Sequence, residues 1–249
     1  MHVVLVQEAS SLDPAANRAR LAEVVPEGAD LVVFPEAWQR HFGRAGSDLT
    51  TDAEPLDGPF VAEVERLAKE RDTTIVAGMF EHTGGVPYNT VVVRGAAYLD
   101  YRKIHMYDSF GYQESKVLAA GPIEPATFDL AGTTVGILTC YDLRFPELAR
   151  RLVHAGAEVV LVPAAWVAGP RKVDHWTTLL RARAIENTVY VVGVGQPGPL
   201  SSGHSMVVGP LGEVLVEGED DAAVLTAEID LTAVAEARHT NPSLANRRL

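Results

Sequence analysis

The string GADLVVFPEAW at residues 28–38 returns at residues 156–166 as GAEVVLVPAAW, an ungapped match with six identities in eleven positions. In each copy a glycine-alanine turn leads into an apolar, largely β-branched run that stops at proline. This is the pattern of a strand buried on both faces, whose ladder ends where a backbone N–H is missing. Each copy follows a strand and a helix, HVVLVQ (2–7) with PAANRARLAEVV (14–25) in the first half and TTVGILT (133–139) with the pattern over 145–155 in the second. In both halves a later helix then leads to a strand and a hairpin. Two related layers follow from this, and each sheet has an apolar face to bury. The expected fold is therefore α/β, a four-layer α-β-β-α sandwich with two mixed sheets and internal pseudo-symmetry. The competing explanation is a coincidence between two buried strands.

Working outward, further strands are expected at TIVAGMF (74–80), YNTVVVR (88–94), EVVLVP (158–163), TVYVVGVG (188–195), HSMVVG (204–209) and AAVLTAEI (222–229). The segments VVVRGAAYLDY and MVVGPLGEVLVE read as two-strand hairpins turning at glycine. Asp13-Pro14 has the form of an N-cap followed by proline at the first helical position, and FVAEVERLAKERD follows Gly58-Pro59 in the same way. Another helix is expected over 174–186. One domain over 1–249 is the default at this length, with 236–249 a C-terminal tail too polar to form a core alone.

The chain has 47% hydrophobic and 22% charged residues, an ordinary globular balance that buries a core without staples. Its net charge of -12 argues against nucleic acid and anionic membrane as partners, since both call for clustered Lys and Arg. The start MHVVLVQEAS lacks a basic region, and no run approaches the roughly 20 apolar residues of a membrane span, so a cytoplasmic location is expected. A single cysteine forms no intrachain disulfide, and the histidines lack metal spacing such as HExxH. Neither a metal nor an organic cofactor is expected.

The echo has an informative flaw. Where the first copy has Glu36 the second has Ala164, and continuing through the hairpins sets Lys103 against Gly218. Two charged residues at apolar strand boundaries thus occur in one half only, and the scaffold does not require them. Cys140 ends the run VGILT and precedes a helix pattern near Pro146. A nucleophile on such a strand-to-helix turn meets backbone N–H groups that can hold an oxyanion. A free cysteine is also often a small buried hydrophobe. Glu36, delivered by VVFPEAW among apolar neighbours, suits a general base, or pairs with an arginine in a loop. Lys103, in YLDYRKIHMYD, is either part of a site or solvated, and Glu114 in GYQESK reads alone as an ordinary loop acid.

Taken together, these strings resemble the nitrilase superfamily of carbon-nitrogen hydrolases: VVFPEAW for the glutamate, YRKIHMYD for the lysine, GILTCYDLRFPELAR for the cysteine. The likeness continues in order through GYQES (111–115), HWTTLLRARAIENTVYVVGVGQ (175–196) and GHSMVVGPLGEVL (203–215). It implies the same sandwich fold, a triad of Glu36, Lys103 and Cys140, and Glu114 as a fourth acid. Glu114 would either support Lys103 or serve as a second base. The implied reaction is hydrolysis of a small amide to acid and ammonia through a thioester. Tyr141, through its backbone N–H, Arg144 and Trp166 are candidates for substrate contact. For Arg144 the alternatives are a grip on a substrate carboxylate or an internal salt bridge with Glu147, while His175 and Trp176 are expected to position their helix.

The branch most resembled is that of omega-amidases and deaminated-glutathione amidases, from CYDLRFPEL, HW followed by LLRARAIEN, and GHSMVVGPLGEV. The segment between Gly169-Pro170 and His175-Trp176 is longer here, so the resemblance leaves the substrate open. The resemblance also implies a homodimer or larger assembly. Acyl transfer from the thioester to an amine, and a non-catalytic binding or redox-sensing protein, are the other functions that fit the fold.

Overall fold

A computed structural model of the protein describes residues 1–248. Leu249, the last residue of the expected tail, lies outside the described residues. The first half runs β1 (His2–Gln7), α1 (Pro14–Val24), β2 (Leu31–Val33), α2 (Pro59–Glu70), β3 (Thr74–Glu81) and the hairpin β4 (Tyr88–Arg94) and β5 (Leu99–Arg102). The second half runs β6 (Thr127–Leu130), β7 (Thr133–Ile137), α3 (Pro146–His154), β8 (Val159–Ala164), α4 (Lys172–Asn187), β9 (Tyr190–Gly195) and the hairpin β10 (Met206–Val208) and β11 (Val214–Glu217). Strand β12 (Ala223–Glu228) and helix α5 (Thr232–Thr240) follow. The expected N-cap holds: the Asp13 carboxylate accepts from the N–H groups of Ala15 at 2.9 Å and Ala16 at 3.2 Å.

Two six-stranded sheets form, ordered β12-β1-β2-β3-β4-β5 and β11-β10-β9-β8-β7-β6. Each has the same plan. Three parallel strands, β1-β2-β3 or β7-β8-β9, are flanked on one side by an antiparallel edge strand and on the other by an antiparallel hairpin. The two copies of the echo fall on β2 and β8, in the same place in each sheet. The repeat is therefore structural, and coincidence is excluded.

Packing follows from alternation along the strands. Val3, Leu5, Leu31 and Val33 of the first sheet meet Val135, Ile137, Val159 and Leu161 of the second in one buried cluster between the sheets. The opposite faces are covered by helices. Val4, Val32 and Ile75 pack with Leu21 of α1 and Leu67 of α2, and Val160 and Val191 pack with Leu152 of α3 and Leu180 of α4. These are the four layers α-β-β-α.

Two local differences from the sequence reading have physical causes. Strand β6 was not expected because TFDL is a four-residue edge strand with half its side chains out of the core, too short for a periodic signal. The segment from 236 begins inside α5, where Val234 and Ala237 are buried, so its first residues are helical and packed.

Candidate active site

Glu36, Cys140 and Ala165 all follow the carboxyl ends of parallel strands, where open α/β sheets gather ligand-binding groups. Pro35 ends the β2 ladder, and the backbone beyond it is held by hydrogen bonds from Gly78 N to Pro35 O at 3.3 Å and from Gln39 N to Gly78 O at 3.0 Å. Only glycine fits at 78: a Cβ there would lie 2.5 Å from Ala37 N and 2.8 Å from Glu36 Cα. Gln196 Nε2 donates to Glu36 O at 2.9 Å, so the second sheet fixes the same turn.

One residue past β5, Lys103 turns inward and is 2% exposed; the solvated alternative does not hold. Its Nζ lies 2.9 Å from Glu36 Oε1 and 2.9 and 3.1 Å from Glu114 Oε2 and Oε1. Glu114 opens a 3-10 turn, Glu114–Lys116, and its Oε2 also accepts from Tyr107 N at 2.6 Å. Asn89 Nδ2 bridges the two carboxylates, 2.7 Å from Glu36 Oε1 and 3.2 Å from Glu114 Oε1. The other Glu36 oxygen accepts from Ala165 N at 2.7 Å. Ala164, the residue opposite Glu36 in the echo, therefore precedes the amide that orients it. Among the described residues Glu36 pairs with a lysine and with no arginine.

Cys140 has φ of 47°, a left-handed conformation that a non-glycine residue holds only when its surroundings impose it. It begins a 3-10 turn, Cys140–Arg144, three residues past β7. The residue is 8% exposed and lines a cavity of about 50 Å³ together with Glu36, Lys103 and Glu114. Burial pushes the thiol well above its ordinary pKa. The Glu36 carboxylate adds to this by charge and by a hydrogen bond, and Lys103 works in the opposite direction. For Lys103, burial disfavours the ammonium, but Glu114, Glu36 and Cys140 outweigh it and its pKa stands well above the usual lysine value. Burial and Glu36 thus favour the thiol over the thiolate, while the two carboxylates favour the ammonium of Lys103.

Tyr141, Arg144 and Trp166 border the same cavity. The Arg144 guanidinium lies 4.8 Å from the centre of the Trp166 ring and 3.4 Å from His175 Nδ1. The alternative pair with Glu147 does not form among the described residues, because Glu147 lies on the exposed first turn of α3 while Arg144 turns toward the cavity. Trp176 is fully buried and donates from Nε1 to His204 O at 2.8 Å, a contact that fixes α4.

Sequence reading missed Asn89, Tyr107 and Lys172. Asn89 left a signal, since asparagine is depleted inside strands and YNTVVVR is otherwise a strong β-former. Tyr107 lies in an irregular segment and Lys172 at the first position of α4, and nothing in their spacing marks them.

The carbon-nitrogen hydrolase family model matches residues 3–239. The chain belongs to the carbon-nitrogen hydrolase family. Among related proteins, one from Mycobacterium tuberculosis, named as a hydrolase, is 40% identical over 99% of this chain and 95% of its own. Deaminated glutathione amidase of Escherichia coli O157:H7 is 36% identical over 92% of this chain and 88% of its own. A crystal structure of a carbon-nitrogen hydrolase superfamily protein from Xanthomonas campestris, bearing an arsenic adduct in its active site, superposes with a TM-score of 0.89. It is 30% identical and covers 100% of this chain and 97% of that one. As a carbon-nitrogen hydrolase, the protein is an enzyme that breaks carbon–nitrogen bonds. No helix among the described residues is long and apolar enough to cross a membrane.

Proposed function

We propose that the protein hydrolyses a small amide through a thioester on Cys140, with Glu36 as general base and acid and Lys103 as the fixed cation. One observation carries this reading: the Cys140 side chain shares its cavity with a carboxylate that Lys103 Nζ, Asn89 Nδ2 and Ala165 N all orient. A thiol whose pKa is raised attacks only if its proton leaves at the same time, and Glu36 is the base beside it. The sulfur–carbon bond forms as the proton passes to Glu36, and the carbonyl electrons move to oxygen. The Lys103 ammonium and the Tyr141 N–H stabilise that oxyanion. Collapse breaks the carbon–nitrogen bond, with the proton on Glu36 going to the departing ammonia. Water then gives a proton to Glu36, its hydroxyl adds to the thioester carbonyl, and the acid leaves as the thiol recovers its proton.

Glu114 works through Lys103. Both its oxygens face the ammonium, which supports a holding role over that of a second base facing the substrate nitrogen. The substrate's acyl part carries a carboxylate that meets Arg144, whose guanidinium has no ion pair among the described residues. Relatives at 33 to 36% identity are named deaminated glutathione amidase and, in mouse and human, omega-amidase. Turnover of a panel of small amides by the wild type and by Cys140→Ala tests the proposal. Loss in the variant is expected, and retention overturns the mechanism.

A further inference from the structure

Lys172 is in an unusual position for a lysine. It opens α4, yet it is only 8% exposed. Its ammonium donates to the Tyr107 hydroxyl at 3.0 Å and lies 4.4, 5.3 and 5.6 Å from the ring centres of Phe110, Tyr107 and Trp166. Among the described residues no carboxylate pairs with it. Three costs fall on this one charge. It is taken out of water, it stands at the positive end of a helix macrodipole, and it shares the Trp166 ring with the Arg144 guanidinium 4.8 Å from that ring's centre. The aromatic faces and a phenol offset part of this. Consistently, burial and then Arg144 pull the Lys172 pKa below the ordinary lysine value.

The charges lining the cavity fall into two groups. Lys103 is matched by Glu36 and Glu114, leaving an excess of one negative charge around it. Among the described residues Arg144 and Lys172 have no such partners, leaving two positive charges beside the aromatic rings. Glu36 and Glu114 are committed to Lys103, so neither is free to turn toward the second group. This half of the cavity is therefore electrostatically complementary to an anion.

We propose that Lys172 determines specificity by forming, with Arg144, a two-cation subsite that grips the anionic end of the substrate's acyl chain. The ligand class is a carboxylate or a carboxylate flanked by a further acceptor, with the chain between anion and amide lying along Trp166 and Tyr107. Arg144 offers a planar fork and Lys172 a point charge, so together they accept more oxygens than either alone. This rests on the amidase reading above, and the test separates the two.

The decisive comparison uses the monoamide of a four-carbon dicarboxylic acid against the uncharged four-carbon monoamide, with wild type, Lys172→Met and Lys172→Arg. In Lys172→Met the preference for the anionic amide, as a ratio of kcat/KM values, falls tenfold or more through a raised KM, and Lys172→Arg recovers most of it. An equal loss on both amides, or none, overturns the proposal. Binding of the four-carbon dicarboxylate to Cys140→Ala, by titration calorimetry, gives a readout without turnover. Lys172→Met on that background must weaken it at least tenfold. If wild type cleaves no amide but this binding still depends on Lys172, the amidase reading fails and the subsite stands. Should Lys172→Met not fold, wild-type melting decides: the dicarboxylate must raise Tm and the neutral diamide of equal length must not. Equal effects of the two overturn the proposal.

Discussion

Asp142 and His105 lie 2.7 Å apart, carboxylate oxygen to ring Nδ1, and this contact fastens the loop that carries Lys103 to the turn that carries Cys140. The same carboxylate accepts from His105 N at 3.0 Å, Thr139 N at 2.9 Å and the Tyr101 hydroxyl at 2.6 Å. Tyr101 belongs to the first sheet and Thr139 precedes the nucleophile in the second. One fully buried acid therefore spans the gap between the halves exactly where the site is assembled from both. The His105 ring is itself held, stacked at 3.7 Å on Phe145.

Replacing Asp142 with asparagine leaves one oxygen where four donors now converge on two, and strands at least one buried N–H. The expected loss is about 1–3 kcal/mol of stability, with turnover falling as the Lys103 loop and the Cys140 turn come apart. Urea unfolding and kcat together check this. A variant of wild-type stability and rate would show the network to be incidental.

Glu114→Gln removes one of the two carboxylates that keep Lys103 charged in spite of burial. With less compensation the lysine pKa falls, so the alkaline limb of the kcat profile should move to lower pH. At neutral pH kcat should drop by about 10²-fold, the order seen on losing one oxyanion donor. An unshifted alkaline limb would mean that Glu114 does not act through Lys103.

Gly78→Ala tests whether the backbone aims Glu36. The new Cβ would meet Ala37 N at 2.5 Å, and the Glu36 turn must move to admit it. Displacements near 1 Å in a catalytic group cost about 10²-fold, so a loss of this order in kcat is expected with the fold retained. Full activity would indicate that the turn is more tolerant than its packing suggests.

Stability should fall as pH rises above about 8.5, the ordinary thiol value. Burial, then the charge of Glu36, raises the Cys140 pKa in the native state; burial, then Asp142, raises that of Tyr101. A raised native pKa means that the folded protein keeps protons which the unfolded chain has released. The stabilisation is complete below the unfolded pKa and is lost as pH climbs toward the native one. Cys140→Ala should accordingly lose less stability than wild type between pH 8 and 10 in thermal unfolding. Parallel losses would contradict the assignment of this slope to the thiol.

Much of this was legible in the sequence because it is written in local signals. The echo that became β2 and β8 rests on apolar runs stopped by proline, and its one charged mismatch marked Glu36. The Lys103 and Cys140 positions follow strands whose ends are visible as breaks in hydrophobicity. What was not legible depends on tertiary approach. Asn89 bridges two acids that are 53 and 25 residues away in sequence. Lys172 falls in the sequence just before the helix expected over 174–186, and only the packing of Tyr107 and Phe110 against it sets it apart. Arg144 had Glu147 in reach along the chain, but the cavity offered the face of Trp166.

The central claim is that Cys140 carries the acyl group, and intact-protein mass measured during turnover of a small amide tests it most directly. The account predicts a transient mass increase equal to the acyl group less one hydrogen, mapped to the peptide containing Cys140, and absent from both Cys140→Ala and Glu36→Gln. Continued amide cleavage by Cys140→Ala, with no adduct on the wild type, would contradict it.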